Sequence, residues 1–414
     1  MNQTERRAIE ALRAGVPNRD AVRHLGTDQR AIEKRFLDAL SQVASERRAG
    51  RELPGLLVSG DFGAGKSHLL EWLQHIALEQ NFACSRVVIS KESPLGQPHR
   101  IFRAAMNSLR APELVGGLEE IAHRLRPDSQ AYAEMSRQVQ SQAAGFDPLF
   151  QATLLLHERV SDPETLSKII AFWRGDRIDV GELRRGVRAL GSAIAVRQRR
   201  IADLALPRFR FAANLIAGAG YSGWVILLDE LELVANFSLT SRAGSYATLA
   251  TLLGLLTDAC IPGVFVVGAV TTDFGLVVFD GRRDQERIPQ RLHDRHQELL
   301  PAAEAGMQAL TPTSAQHMSL EPQDSDALAR THATVRALYA TAYGWPPPPD
   351  GLQVRERSMR MRQYVRDWIT RWDLVRLDPT YQPDILTEDY VPDLRERPEL
   401  EPDSAEAPAE NDSA

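Results

Sequence analysis

The 414-residue chain is 43% apolar and 25% charged, the make-up of a soluble globular protein long enough for more than one domain. No apolar run approaches the length of a membrane span, and the opening MNQTERRAIEAL lacks a signal-peptide core, so a cytoplasmic protein with no membrane contact is expected. The formal charge is −6, but residues 384–414 hold eleven acids and two arginines, a local −9 that leaves a weakly basic +3 for the rest.

Residues 3–48 read as two helices, ERRAIEALRAG and AIEKRFLDALSQVASERR, with AVRHLG between them. Pro54 and Gly55 precede a short buried strand, LLVS. A glycine-rich loop follows, then an apolar-periodic helix ending near Gln80. CSRVVIS is the next strand and IFRAAMNSLR the next helix. From about Pro112 to Leu204 the pattern is helical throughout, with breaks at Gly116-Gly117, Pro127, Gly145 to Pro148, and Pro163. RFRFAANLIAGAG is a helix that leads into WVILLDE, an apolar strand ending in two acids. TLATLLGLLTDA is a buried helix, VFVVGAV a strand, IPQRLHDRHQELL a helix and QHMSLEP a last short strand. Residues 324–376 read as helices broken by WPPPPDG. The Pro- and acid-rich end has no apolar period and reads as disordered. Cys84 and Cys260 are too few for a disulfide framework or a cysteine zinc site and read as packing residues. His293 and His296 read as surface histidines.

Strands alternating with helices imply an α/β fold, a parallel sheet flanked by helices, with ligands at the carboxyl ends of its strands. Six segments are expected. They are an N-terminal helical segment (1–50), a first part of the core (51–111), a helical insertion (112–204), a second part of the core (205–321), a helical lid (322–390) and an acidic tail (391–414).

The run Gly60-Asp61-Phe62-Gly63-Ala64-Gly65-Lys66-Ser67 fits G-x-x-x-x-G-K-[ST] at every position. Glycines let the backbone wrap an anion, and successive N–H groups with the next helix N-terminus point at phosphate oxygens. Lys66, one of only four lysines, brings a full charge to the outer phosphates, and the Ser67 hydroxyl can ligate Mg2+. The strand before it and the helix from His68 onward supply the context this motif needs. The second element is Asp229-Glu230, carried to the same sheet edge by its strand. Asp229 can hold Mg2+, and Glu230 can polarise an attacking water. Glu232, in the same DELE run, reads as a helix-start acid rather than a catalyst.

These motifs, the polar end of the next strand and the arginines after it resemble AAA+ P-loop ATPases of the Orc/Cdc6-like group. That resemblance implies a phosphate sensor at the end of VFVVGAV, here Thr271. It also implies an arginine finger on IPQRLHDRH, with Arg291 and Arg295 as candidates. A second sensor arginine would lie in the lid, at Arg362, with Arg360 and Arg366 as rivals. A closer resemblance covers most of the chain. The opening ERRAIEALRAGVPNRDAVRHLG, the loop GDFGAGKSHLL, the LLDELE strand and the MRMRQYVRDW lid are similar to the BrxD-like ATP-binding proteins of BREX phage-defence systems, with Met361 where a proline often stands. It implies that the whole loop from Gly60 through His68 binds nucleotide, and that Val16, Pro17, Asn18 and Arg23 lie near the adenine. It also implies a homo-oligomer or an Lhr-like helicase as partner. The function expected is an ATPase that turns ATP binding and hydrolysis into a change of shape or assembly. A nucleotide-controlled scaffold or DNA-loading factor with little hydrolysis is the alternative, although no basic-aromatic strip marks a DNA contact.

Overall fold

The computed structural model describes residues 3–15, 19–114, 116–141, 145–293, 296–322, 324–348 and 361–380. Val16, Pro17, Asn18, Arg295, Arg360 and the acidic tail lie outside these. The chain opens with three helices, α1 (Gln3–Ala14), α2 (Arg19–Leu25) and α3 (Arg30–Arg48), where two were expected. The extra one, α2, is seven residues long and buries only Ala21 and Val22, too little for a period to register. Strand β1 (Leu56–Ser59) leads through the glycine loop into α4 (Lys66–Glu79), followed by β2 (Ala83–Val88) and α5 (Pro98–Asn107).

Residues 112–204 contribute α6 (Gly117–His123), α7 (Gln130–Gln140), α8 (Pro148–Arg159), α9 (Pro163–Arg174) and α10 (Val180–Ala189). Ser129, Asp147, Asp162 and Asp179 cap four of them by accepting backbone N–H bonds, which starts each helix where the sequence breaks. Helix does not continue throughout, because Gly191 (φ +71) turns the chain out of α10. The run that follows is non-helical up to Arg200, held by an Arg184 Nε bond to the Val196 carbonyl at 2.9 Å.

The second half places α11 (Ala205–Gly218), β3 (Trp224–Asp229), α12 (Leu239–Leu252), β4 (Val264–Val270), α13 (Asp284–His293), α14 (Leu300–Ala309) and β5 (His317–Ser319). The expected single helix over IPQRLHDRHQELL is therefore two, since α13 stops at His293 and α14 begins at Leu300. Helices α15 (Ser325–Tyr343) and α16 (Met361–Leu377) complete the described chain. Among the described residues no helix is long and apolar enough to cross a membrane.

The five strands form one all-parallel sheet in the order β2-β3-β4-β1-β5. Alternate side chains serve two cores. Leu56, Val58, Cys84, Val225, Leu227 and Phe265 face α3 and α4. Leu57, Trp224, Ile226, Leu228 and Val266 face the other layer, where α5, α11, α12 and the helices of residues 112–204 pack. Both faces are covered, so the strands read as continuous apolar runs rather than alternating ones. Each fully buried Leu, Ile or Phe here stabilises the fold by about 1.5–3 kcal/mol.

A third core joins the two ends of the chain. Ala8 and Ile9 of α1 and Ala21 of α2 pack with Leu328, Val335 and Tyr339 of α15 and Val365, Ile369 and Trp372 of α16. Arg13 pairs with Asp373 at 2.7 Å, and the Tyr339 hydroxyl donates to the same carboxylate at 2.7 Å. Gln29 seals the junction. Its amide donates to the Glu321 carbonyl at 3.1 Å and its oxygen accepts from the Glu321 N–H at 2.8 Å.

Candidate functional site

The sheet order puts β1 between β4 and β5, with β3 on the far side of β4. The carboxyl ends of β1, β4 and β3 thus lie side by side, and each polar cluster read from sequence sits at that edge. The loop after β1 turns through Gly63 (φ +80) and Gly65 (φ +102), a conformation in which a Cβ is strained. Gly65 is followed directly by α4, so the first orphan N–H groups of that helix open toward the loop.

Lys66 is buried. Its ammonium donates to the carbonyls of Gly60 at 2.9 Å and Asp61 at 3.3 Å, and it stands 3.8 Å from the Glu232 carboxylate. Burial pushes Glu232 up to about 7, against the pull of Lys66, and its Oε2 has no hydrogen-bond partner. Glu232 does begin a short 3-10 helix (Leu231–Asn236), as read from sequence, but it also faces the loop lysine.

Asp229 ends β3, also buried. Its Oδ1 accepts the Glu230 N–H at 3.1 Å, and its Oδ2 accepts from Arg86 Nη2 at 2.6 Å. Arg86 reaches from β2, and its Nη1 donates to Glu71 of α4 at 3.0 Å. Glu230 has a left-handed backbone (φ +59), a strain a non-glycine residue tolerates only where its surroundings fix it. Burial and then the neighbouring Asp229 charge raise its carboxyl above the ordinary range.

At the end of β4, Thr271 is buried and its Oγ1 has no partner. Thr272 is exposed and donates to the Asp61 carboxylate, so it is the second threonine that touches the loop.

The glycine loop, the end of β3 and the helices from both ends of the chain enclose a cavity of about 430 Å³, within the size range of small-ligand sites, and neither Thr271 nor Thr272 lines it. Phe62, Gly63, Ala64, Gly65, Lys66, Ser67 and His68 form one wall, and Arg86, Asp229, Glu230 and Glu232 another. Leu12, Gly15 and the Leu25–Gln29 stretch line it from the N-terminal helices, and Thr331, Met361, Arg362 and Val365 from α15 and α16. Arg362 lies so close to Gly15 that a Cβ there would come within 2.6 Å of its Nε. His68 has its ring against the N-terminal segment, with Nε2 donating to the Gly26 carbonyl at 2.7 Å. Burial lowers its pKa, so the ring is neutral, and the carbonyl partner fixes the proton on Nε2.

The structure thus gathers Lys66, Ser67, Asp229, Glu230 and Arg362 around one space. Gly60 and Asp61 do not line it, although their carbonyls accept from Lys66. Arg23 is exposed on α2 and Arg291 exposed on α13, and neither lines the cavity. Helix α13 is nonetheless firmly placed, because Asp284 forms a fully buried pair with Arg242 at 2.6 Å and accepts from Tyr246 at 2.9 Å. Arg86 and Glu232 were missed from sequence as parts of the site. The Ser67 hydroxyl and Asp229 carboxylate are hard oxygen donors on the same cavity. Two such donors suit Mg2+, which keeps waters and takes phosphate oxygens for the remainder.

No curated protein matches the chain. A family model does, over residues 1–175 and 188–384, leaving out most of α10 and the whole of the tail. With this match across nearly its whole length, the chain belongs to the BREX system ATP-binding protein BrxC/D family.

Proposed function

We propose that the protein is an ATPase of AAA+ type that hydrolyses Mg-ATP to drive a change of shape or assembly in BREX defence. The observation that carries this reading is the convergence of Lys66, Asp229 and Glu230 on one cavity roofed by Arg362. Backbone N–H groups of the loop would cradle the phosphates, with Lys66 exchanging its carbonyl partners for the outer phosphate oxygens. Ser67 and Asp229 would hold Mg2+, which supplies positive charge to neutralise the phosphate oxygens. Glu230 would accept the proton of the attacking water on its carboxylate. Its raised pKa makes it a better base at neutral pH than an exposed glutamate. Arg362, across the cavity, would add charge as the bond breaks, and the buried Thr271 hydroxyl or Thr272 would sense the outer phosphate. The N-terminal Leu12 and Leu25 give the apolar surface a base needs.

An exposed Arg291 suits a finger offered to a neighbouring subunit, so a homo-oligomer is part of the proposal, with a Lhr-like helicase as a second partner. The scaffold reading, with slow hydrolysis, draws support from one feature: the Arg86 pair occupies the Asp229 carboxylate.

Two variants test the proposal. Lys66→Ala should lose ATP binding in a titration, and Glu230→Gln should bind ATP but not turn it over. Tight binding by the first refutes the site. Normal turnover by the second refutes the base.

A further inference from the structure

Arg86 is the cation nearest the carboxylate that would hold the metal. The strand register pairs Val88 with Asp229 and Arg86 with Leu227, so Arg86 starts two residues below the acid and reaches up to it. One arm holds Asp229 Oδ2 at 2.6 Å and the other Glu71 Oε2 at 3.0 Å. Glu71 lies four residues after Ser67 on α4, on the same helix face. Glu71 and Asp229 therefore set two carboxylates around one spot, with Ser67 one turn before Glu71 on the same helix, oxygen donors of the hard kind a divalent cation takes. The guanidinium fills that spot. Its Nε is buried with no hydrogen-bond partner.

We propose that Arg86 is a positioning residue that occupies Asp229 and makes divalent-cation binding at this site conditional on nucleotide. The inference rests on the Mg-ATP reading above. Without phosphates, the guanidinium binds both carboxylates, offsets one of their two charges and occupies the place a second cation would take. Arg86 also lines the cavity, so bound phosphates offer it other anionic partners. Moving to them releases Asp229 for the metal at the moment nucleotide is present. No bond is made or broken; the arginine changes its anion.

The test uses Mn2+ as probe, read by the loss of the free-ion EPR signal, on the full chain without nucleotide. Wild type should take up no Mn2+ at sub-millimolar concentration. Arg86→Gln and Arg86→Met, the latter keeping the aliphatic stem, should each bind one Mn2+ at least tenfold more tightly than wild type, about 1.4 kcal/mol. Arg86→Lys keeps a cation and should exclude Mn2+ as wild type does, an outcome that a purely structural role would not give. ATP binding in EDTA should weaken in the neutral variants, which lose a cation for the phosphates, yet stay measurable because the loop and Lys66 are intact. Wild-type uptake of Mn2+ without nucleotide, or neutral variants that bind ATP in EDTA yet gain no Mn2+, would overturn the role of Arg86 and leave the nucleotide site standing. A wild type that binds no ATP would overturn the site and this inference with it.

Discussion

Glu232→Gln isolates the cost of keeping a carboxylate beside the lysine of the glycine loop. Glu232 is 5% exposed, and burial moves its carboxyl from 4.5 to about 7 even with Lys66 at 3.8 Å. The sign follows from proton counts. Below about pH 4.5 both the folded and unfolded chains carry the proton, and the group has no net effect. Between that point and about pH 7 the unfolded chain releases its proton first, so folding stability falls as pH rises. Above pH 7 the loss is complete, at about 3 kcal/mol for a displacement of this size. Glutamine stays neutral in both states and escapes that loss. The variant should therefore match wild type within about 1 kcal/mol at pH 5 and exceed it by up to about 3 kcal/mol at pH 8. Urea unfolding at the two pH values, followed by circular dichroism, reads the difference. A variant less stable than wild type at pH 8 would show that the Lys66 attraction outweighs the desolvation, and would refute the reasoning.

Asp284→Ala leaves Arg242 charged and buried without its partner. It should cost about 3–5 kcal/mol in urea unfolding, much of which Arg242→Met with Asp284→Leu should restore. Gly15→Ala adds a Cβ at φ +68 against the Arg362 guanidinium. It should weaken ATP binding about three- to tenfold in a titration by displacing that arginine, at about 1–2 kcal/mol of local backbone strain; unchanged affinity would remove Arg362 from the site. Arg291→Ala should bind ATP normally yet lose hydrolysis, and mixing it with Lys66→Ala subunits should restore part of the turnover. A mixture with no rescue would make Arg291 an ordinary surface charge.

The sheet was legible because its strands are covered on both faces. LLVS, WVILLD and VFVVGAV are almost wholly apolar runs; the first two end in Ser59 and Asp229, and the third runs straight into Thr271, all at the same edge. The glycine loop was legible because its pattern is local: the glycines, Lys66 and Ser67 are neighbours in sequence and lead directly into α4. Arg86 was not, since its partner Asp229 is 143 residues away and only the β2–β3 register brings them together. In a chain so rich in arginine, nothing about the RVV stretch sets that one apart. Glu232 was legible as a helix start but not as a partner of Lys66, because its direction depends on the left-handed turn at Glu230. The short α2 and the break after His293 escaped because neither carries an apolar period long enough to read.

The core shared by the first and last described helices has a consequence for how the chain comes to be folded. Ala8 and Ile9 leave the ribosome early, yet the residues that cover them, from Leu328 to Trp372, emerge more than three hundred residues later. Closing so long a loop adds entropy to the cost of that docking, and contacts at this separation form late. The sheet with its two cores can be complete while α1 and α2 still wait for α15 and α16. What docks last on the way in is also positioned to open first on the way out, as a separate unit hinged at Gln29 and Glu321. Leu12 and Gly15 belong to the early half of that unit and Met361 and Val365 to the late half, and all four line the cavity. A ligand that fills the cavity would tie helices translated more than three hundred residues apart.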